Sequence, residues 1–356
     1  MMLKASKKIG ILTIHRALNY GAVLQCYALK RSCESLEYEV ETIDYNPFGN
    51  YKVFEILCHR PNIIYTYLAR LTKFSRFVQK YLNPTTHTIS KEWIKRNPPQ
   101  DDIYIVGSDQ VWSTEIVGDL LDSYLLDFAP THVKRISYAA STGGNKMELN
   151  EYQLGELQKF SSISLREKQS VPDIQAKVNI PVVDVCDPSL LLTMDDYQLL
   201  EEKPLCLPRQ YVAYFNLAGD RLCEESVKQI NKQLGLPIIN IAGTYKSWAK
   251  RNYLAPTPKQ WLYIIHHADF VCTTSFHGAC FSLITRRPFI YCAANGKREN
   301  LNDRITNLLE QTHLQDRYIT DIKQVAKIAT GGINYDEKII SYYRERSLEW
   351  LKMALE

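Results

Sequence analysis

Asp269-Phe270-Val271-Cys272-Thr273-Thr274-Ser275-Phe276-His277-Gly278-Ala279 decides the fold class. Asp269 to Thr273 is a short run of strand-forming side chains, and a helix is expected over roughly Ala279 to Ile284. A strand passing through a short polar turn into a helix is the building unit of parallel α/β layers. In such layers ligands collect at the carboxyl ends of strands, where helix N-termini offer N–H groups and partial positive charge. Gly278 permits close approach of a ligand or backbone, and His277 stands where a proton can be moved. Alternatively, His277 simply caps or packs.

The same alternation extends outward in both directions. Strands are expected at Lys8–Thr13, Val40–Tyr45, 103–106, 136–140, 162–165 and 181–185, then at 211–215, 237–241 and 288–292, with an early helix from Val23 to Cys33. Thr257 followed by Pro258 marks a helix start. Between Phe48 and Arg96 apolar residues recur at helical spacing among Arg70, Lys73, Arg76 and Lys80, which predicts one or two inserted helices. The 356 residues predict two domains: 1–203 with the insert at about 48–96, and 204–334. A helix over 335–356 closes the chain. The boundary is placed in Glu201–Arg209, where Pro204 and Pro208 break the periodicity.

Composition narrows the function classes. With 43 Lys and Arg against 39 Asp and Glu, the net charge of +4 does not call for nucleic acid. The nine cysteines include no C-x-x-C pair, the pattern of reduced, buried thiols rather than a disulfide framework or zinc site. The N-terminus lacks the apolar segment of a secretory signal, and no stretch approaches the roughly 18 apolar residues of a membrane span. A cytoplasmic protein without metal or cofactor is expected.

Three further segments follow predicted strands. Gly107-Ser108-Asp109-Gln110-Val111-Trp112 brings donors and a carboxylate, though an Asp-capped structural turn would look the same. Ser164-Leu165-Arg166-Glu167 brings a guanidinium suited to gripping a carboxylate or phosphate, unless Glu167 merely pairs with it. Asn19-Tyr20-Gly21-Ala22 is a glycine-bearing loop of the kind that holds phosphate, but it lacks G-x-G-x-x-G.

Taken in order with Ser137-Tyr138-Ala139-Ala140-Ser141, Asp187-Pro188-Ser189-Leu190-Leu191 and Asn302-Asp303-Arg304-Ile305, these segments resemble the polysaccharide pyruvyl transferase family over nearly the whole chain. The resemblance implies two Rossmann-like domains facing across a cleft, glycosyltransferase-B-like, with the terminal helix returning to the first. It implies phosphoenolpyruvate as donor and a pyruvate ketal, formed across two hydroxyls of a cell-surface or lipid-linked sugar, as product. It assigns His277 and Asp109 to catalysis and Arg166 to an anion clamp. Phosphate falls to the N–H groups of Gly278 and Ala279 beside Ser275, and Asn19, Tyr20, Gly21 and Ser108 line the substrate site. Where family members carry Arg-Leu before His-Gly, this chain has Ser275-Phe276, so Arg304, Lys297 or Arg298 is expected to supply the missing guanidinium or ammonium. Two alternatives remain open: a glycosyltransferase using a nucleotide sugar, and a non-catalytic sugar-binding protein. The basic insert at 52–96 is a candidate for peripheral contact with an anionic membrane surface.

Overall fold

The computed structural model describes residues 7–47, 64–88, 90–217, 219–241, 244–293, 302–329 and 331–356. The chain forms two compact units, one of residues 1–64, 75–191 and 343–356, the other of 65–74 and 192–342. Each is organised on one six-stranded parallel sheet.

The first sheet contains β1 (Lys8–Leu12), β2 (Glu39–Thr42), β3 (Ile103–Val106), β4 (Lys134–Ala140), β5 (Ser162–Leu165) and β6 (Val182–Asp184), in the order β2-β1-β3-β4-β5-β6. The chain reverses its direction of travel across the sheet between β1 and β3. The loops after those two strands, carrying Thr13–Asn19 and Gly107–Asp109, therefore flank the switch point where α/β sheets bind ligands. Helix α1 (Tyr20–Ser35) follows the first loop. It begins three residues before the position expected from periodicity because Asn19 caps it, its Oδ1 accepting the Gly21 N–H at 3.0 Å. Helix α2 (Ile64–Tyr81) and α3 (Lys91–Arg96) form the described part of the insert; residues 48–63 lie outside the described residues.

The second sheet contains β7 (Val212–Phe215), β8 (Ile238–Ile241), β9 (Arg251–Tyr253), β10 (Phe270–Thr273), β11 (Phe289–Cys292) and β12 (Tyr318–Ile319), in the order β12-β11-β10-β7-β8-β9. Counted from β7, this is the 3-2-1-4-5-6 order of dinucleotide-binding sheets read from its other edge, with its switch point between β7 and β10. Helices α4 (Arg221–Leu234), α5 (Pro258–His266), α6 (Phe276–Ile284), α7 (Asn302–Gln311) and α8 (Ile322–Ile328) belong to this unit. Trp261 is wholly buried between Phe215 and Phe281, with ring centroids 5.4 and 5.3 Å away in edge-to-face contact.

The observed limits differ from the expected ones in two places. The units divide at 191/192 rather than near 203, because the segment after 191 packs within the second: Tyr197 meets Phe281 at 5.0 Å. The insert is not confined to the first unit either. Residues 65–74 group with the second, where Lys73 donates to the Ala255 carbonyl at 2.6 Å. Periodicity reveals a buried face but not what covers it. The C-terminal helix α9 (Glu337–Leu355) places residues 343–356 in the first unit, where Ser347 Oγ accepts the Cys186 N–H at 2.9 Å and Trp350 packs on Tyr138. No described helix is long and apolar enough to cross a membrane.

Candidate functional site

In the second unit the switch point is built by Thr273, the last residue of β10. Its hydroxyl donates to the Phe215 carbonyl at 2.8 Å and accepts the Ser275 N–H at 2.9 Å, tying the ends of β10 and β7 together. Ser275 then caps α6, its Oγ accepting the Gly278 N–H at 3.3 Å while its carbonyl accepts that of Ala279 at 3.1 Å. These two amides, expected from the family resemblance to hold phosphate, are thus engaged within the helix, and an anion at this end would meet Phe276 and His277 first. Gly278 is fixed by packing: a Cβ there would lie 2.5 Å from Thr273 Oγ1.

His277 is in the first turn of α6 and is buried. Its ring stands edge-on to Phe276 at 5.2 Å. The guanidinium of Arg304, from α7, lies 5.8 Å from the same Phe276 ring. A cation from another helix therefore sits beside the position where Ser275-Phe276 departs from the Arg-Leu pattern. Lys297 and Arg298 lie outside the described residues. Across the switch point, Asn216 bonds to the Tyr214 hydroxyl at 2.7 Å and the Asp220 carbonyl at 2.8 Å, and its Oδ1 accepts from Thr274 at 3.3 Å. Nothing in the sequence singled it out except a polar residue directly after an apolar strand.

In the first unit the residues read separately from three motifs form one buried network. Thr13 donates to the Ser108 carbonyl at 2.7 Å, and Gln25 donates to Thr13 at 3.0 Å and accepts the Ser108 N–H at 3.3 Å. Ser108 Oγ donates to Asp187 Oδ2 at 3.2 Å. Arg166 donates to the same oxygen at 3.0 Å and to Glu167 at 3.2 Å, with Asp109 4.0 Å away. Burial opposes the charge on Arg166, yet Glu167, Asp187 and Asp109 raise its pKa above the ordinary arginine value. The Arg166–Glu167 pair is thus no surface contact, since both side chains are buried. Asp109 has a positive φ of 73°, and its carboxylate accepts the Gln110 N–H at 3.0 Å. Gly107, φ 120°, is held so near β4 that a Cβ would come within 2.1 Å of the Tyr138 carbonyl oxygen. Tyr20 is buried at the start of α1 beside Gly21, and Asn19 is half-buried.

A second cluster in this unit was not anticipated. Buried Asp44, just past β2, accepts from His15 Nε2 at 3.1 Å and Arg16 Nε at 2.7 Å, and lies 3.2 Å from His87 Nδ1. Burial would raise its pKa, but hydrogen bonds from Arg16 and His15 hold the carboxyl well below the usual range. His15 Nδ1 also faces the Thr13 carbonyl at 3.1 Å, which joins this cluster to the switch-point loop.

The arrangement matches known folds and one family. A UDP-GlcNAc 2-epimerase from Methanocaldococcus jannaschii, in complex with UDP-GlcNAc and UDP, shares 12% identity over 97% of this chain and 99% of that one, with a TM-score of 0.59. Another structure of that organism's UDP-GlcNAc 2-epimerase gives 0.54 at 12% identity, covering 97% and 99%. Arabidopsis thaliana UGT89C1 with UDP-L-rhamnose gives 0.51 at 9%, covering 98% and 99%. These likenesses establish a glycosyltransferase-B-like α/β fold. No curated protein sequence matches. The family model of polysaccharide pyruvyl transferases matches residues 19–296, spanning the Asn19 loop, the Gly107–Trp112 turn, Arg166 and His277. With most of its length and all of these elements inside that match, this chain belongs to the polysaccharide pyruvyl transferase family.

Proposed function

We propose that the protein transfers the enolpyruvyl group of phosphoenolpyruvate to a sugar and closes it into a ketal across two hydroxyls. The observation that carries this is His277, buried in the first turn of the helix that leaves the β7/β10 switch point, with the Arg304 guanidinium over the neighbouring ring. Family membership supports the reaction class.

The chemistry asks for one proton delivered to carbon and one taken from each of two hydroxyls. A proton is added to the methylene carbon of the enol as a sugar hydroxyl attacks C2, and that hydroxyl loses its proton to a base. The C2–O bond to phosphate then breaks, a second hydroxyl attacks C2 and loses its proton, and inorganic phosphate leaves. His277 is the residue we assign to proton transfer. Arg304 and the start of α6 hold the donor's anionic groups. Arg166 already serves three carboxylates, so we assign it to positioning Asp109 and Asp187 in the first unit rather than to binding the donor. Asp109 is the proposed base toward the acceptor. Acceptors in this reading are lipid-linked or polymeric sugars handled in the cytoplasm.

Incubating the purified protein with phosphoenolpyruvate and candidate sugar acceptors tests the proposal. Phosphate release matched by a ketal mass gain on the acceptor, both lost in His277→Gln, is expected. Nucleotide release from a nucleotide sugar, with phosphoenolpyruvate untouched, would assign glycosyl transfer instead. Unchanged surface-polymer pyruvylation in cells carrying His277→Gln would show that the chain is not the catalyst.

A further inference from the structure

We propose that Glu201, His266 and His267 form a binding site for one divalent transition-metal ion of the zinc class, away from the switch point. Glu201 follows a short helical turn at Gln198–Leu200, His266 ends α5 and His267 is its C-cap. His266 presents Nδ1 to one oxygen of Glu201 at 2.7 Å, and His267 presents Nε2 to the other at 3.3 Å. Adjacent residues thus use different ring nitrogens to converge on one carboxylate, and the three ligand atoms lie within 4.8 Å of one another.

Ligand atoms around a tetrahedral ion with bonds of about 2.0–2.1 Å are separated by about 3.3 Å, so from spacings within 4.8 Å side-chain adjustments of about 1.5 Å or less admit the ion. The ring of His267 is held in place by stacking on Tyr263 one turn earlier, with centroids 4.0 Å apart. The His266 and His267 rings are tilted against each other at 4.6 Å. The C-terminal end of α5 adds the negative end of its dipole. Side-chain exposures of 22% for His266, 40% for His267 and 12% for Glu201 leave an entry path and room for water in the remaining position. Arg287 is the opposing charge, acting on His267 from the turn before β11.

Two imidazoles and one carboxylate select Zn2+, Co2+, Ni2+ or Cu2+ over Mg2+ and Ca2+, which favour all-oxygen sites. Binding replaces the two contacts to Glu201 with bonds to the ion from neutral imidazole nitrogens and a carboxylate oxygen. Bound, the ion would fasten the chain leaving the Gln198–Leu200 turn to the end of α5 within the second unit.

Cobalt is the probe, titrated into full-length protein freed of metal by a chelator and followed by visible absorption at neutral pH. One equivalent should bind with the d–d bands of a nitrogen- and oxygen-ligated ion. Zn2+ should displace it, and Mg2+ in large excess should not. Glu201→Gln, His266→Gln and His267→Gln should each weaken Co2+ binding at least tenfold, with the circular dichroism of the unbound protein unchanged. Cys206→Ser, which removes an exposed thiol of the same unit, should change nothing. A near-ultraviolet thiolate-to-cobalt band would move binding to cysteine, the buried trio Cys223, Cys272 and Cys292 included, and overturn the proposal. So would the absence of saturable binding, or binding indifferent to His267→Gln.

Discussion

Replacing Arg166 with methionine tests the first unit's network most directly. The substitution keeps much of the length and removes the charge. Asp187 loses a partner at 3.0 Å, Glu167 one at 3.2 Å, and Asp109 a cation at 4.0 Å. At the effective dielectric of a protein, each of the two closer pairs amounts to roughly 5 kcal/mol of gross attraction, most of it offset by the desolvation of the charges. The carboxylates are not stranded completely. Asp187 keeps the Ser189 N–H and hydroxyl at 3.0 and 2.7 Å and Ser108 at 3.2 Å, while Glu167 keeps Ser141 at 2.6 Å. Breaking a buried pair on one side costs about 3–5 kcal/mol, and the surviving hydroxyl donors place Arg166→Met near the lower end.

Urea unfolding of wild type, Arg166→Met, Asp187→Asn and the double variant measures this. The double variant should be less destabilised than the sum of the singles by about 1–2 kcal/mol, because it removes the uncompensated charge along with its partner. Arg166→Lys should recover only part of the loss, since one ammonium cannot meet Asp187 and Glu167 through separate nitrogens as the guanidinium does. Arg166→Met unfolding within about 0.5 kcal/mol of wild type would refute the account, leaving Arg166 a ligand residue without structural duty.

Other consequences concern single positions. Asp101 has a fully buried side chain whose pKa rises to about 7, through burial first and Glu41 second, with Lys8 opposing. A raised folded-state pKa means that the folded protein binds the proton more tightly than the unfolded chain, so stability falls as pH rises from about 4 to 7. Asp101→Asn should therefore be about 2 kcal/mol more stable than wild type at pH 8, an advantage that disappears near pH 4, measured by thermal unfolding across that range. Gly107→Ala meets the Tyr138 carbonyl oxygen at 2.1 Å with φ at 120°, and soluble expression should be lost. Gly278→Ala pushes on Thr273 Oγ1 at 2.5 Å and on the two bonds that hydroxyl makes, costing about 2 kcal/mol in urea unfolding. Adding Thr273→Ala should relieve much of that clash.

The strands were the most legible feature because each central one is an apolar run closed by polar residues; β3 and β5 have the limits expected for them. The strands at Arg251–Tyr253 and Tyr318–Ile319 escaped notice for the converse reason. They are edge strands of three and two residues, paired on one side, and need no apolar alternation. Glycines 107 and 278 were visible as loop glycines, but the packing that requires them, against Tyr138 and Thr273, is tertiary. The cluster of His15, Arg16, Asp44 and His87 was invisible because its members come from loops far apart in the chain, and no local spacing relates them.

Arg166 shows where such legibility stops and why it matters for function. Its neighbour Glu167 suggested a simple exposed pair, and its place after a strand suggested an anion clamp. Both expectations treated the residue locally. Strand order, which sequence order does not dictate, brings Asp109 from the end of β3 and Asp187 from beyond β6 to the same guanidinium. One positive charge then faces three carboxylates, so a further dianion placed there would add to an existing excess of negative charge. In the second unit, α7 sets Arg304 over Phe276 beside His277. The two arginines differ in what surrounds them: Arg166 lies among carboxylates, whereas Arg304 lies over an aromatic ring that a histidine also meets.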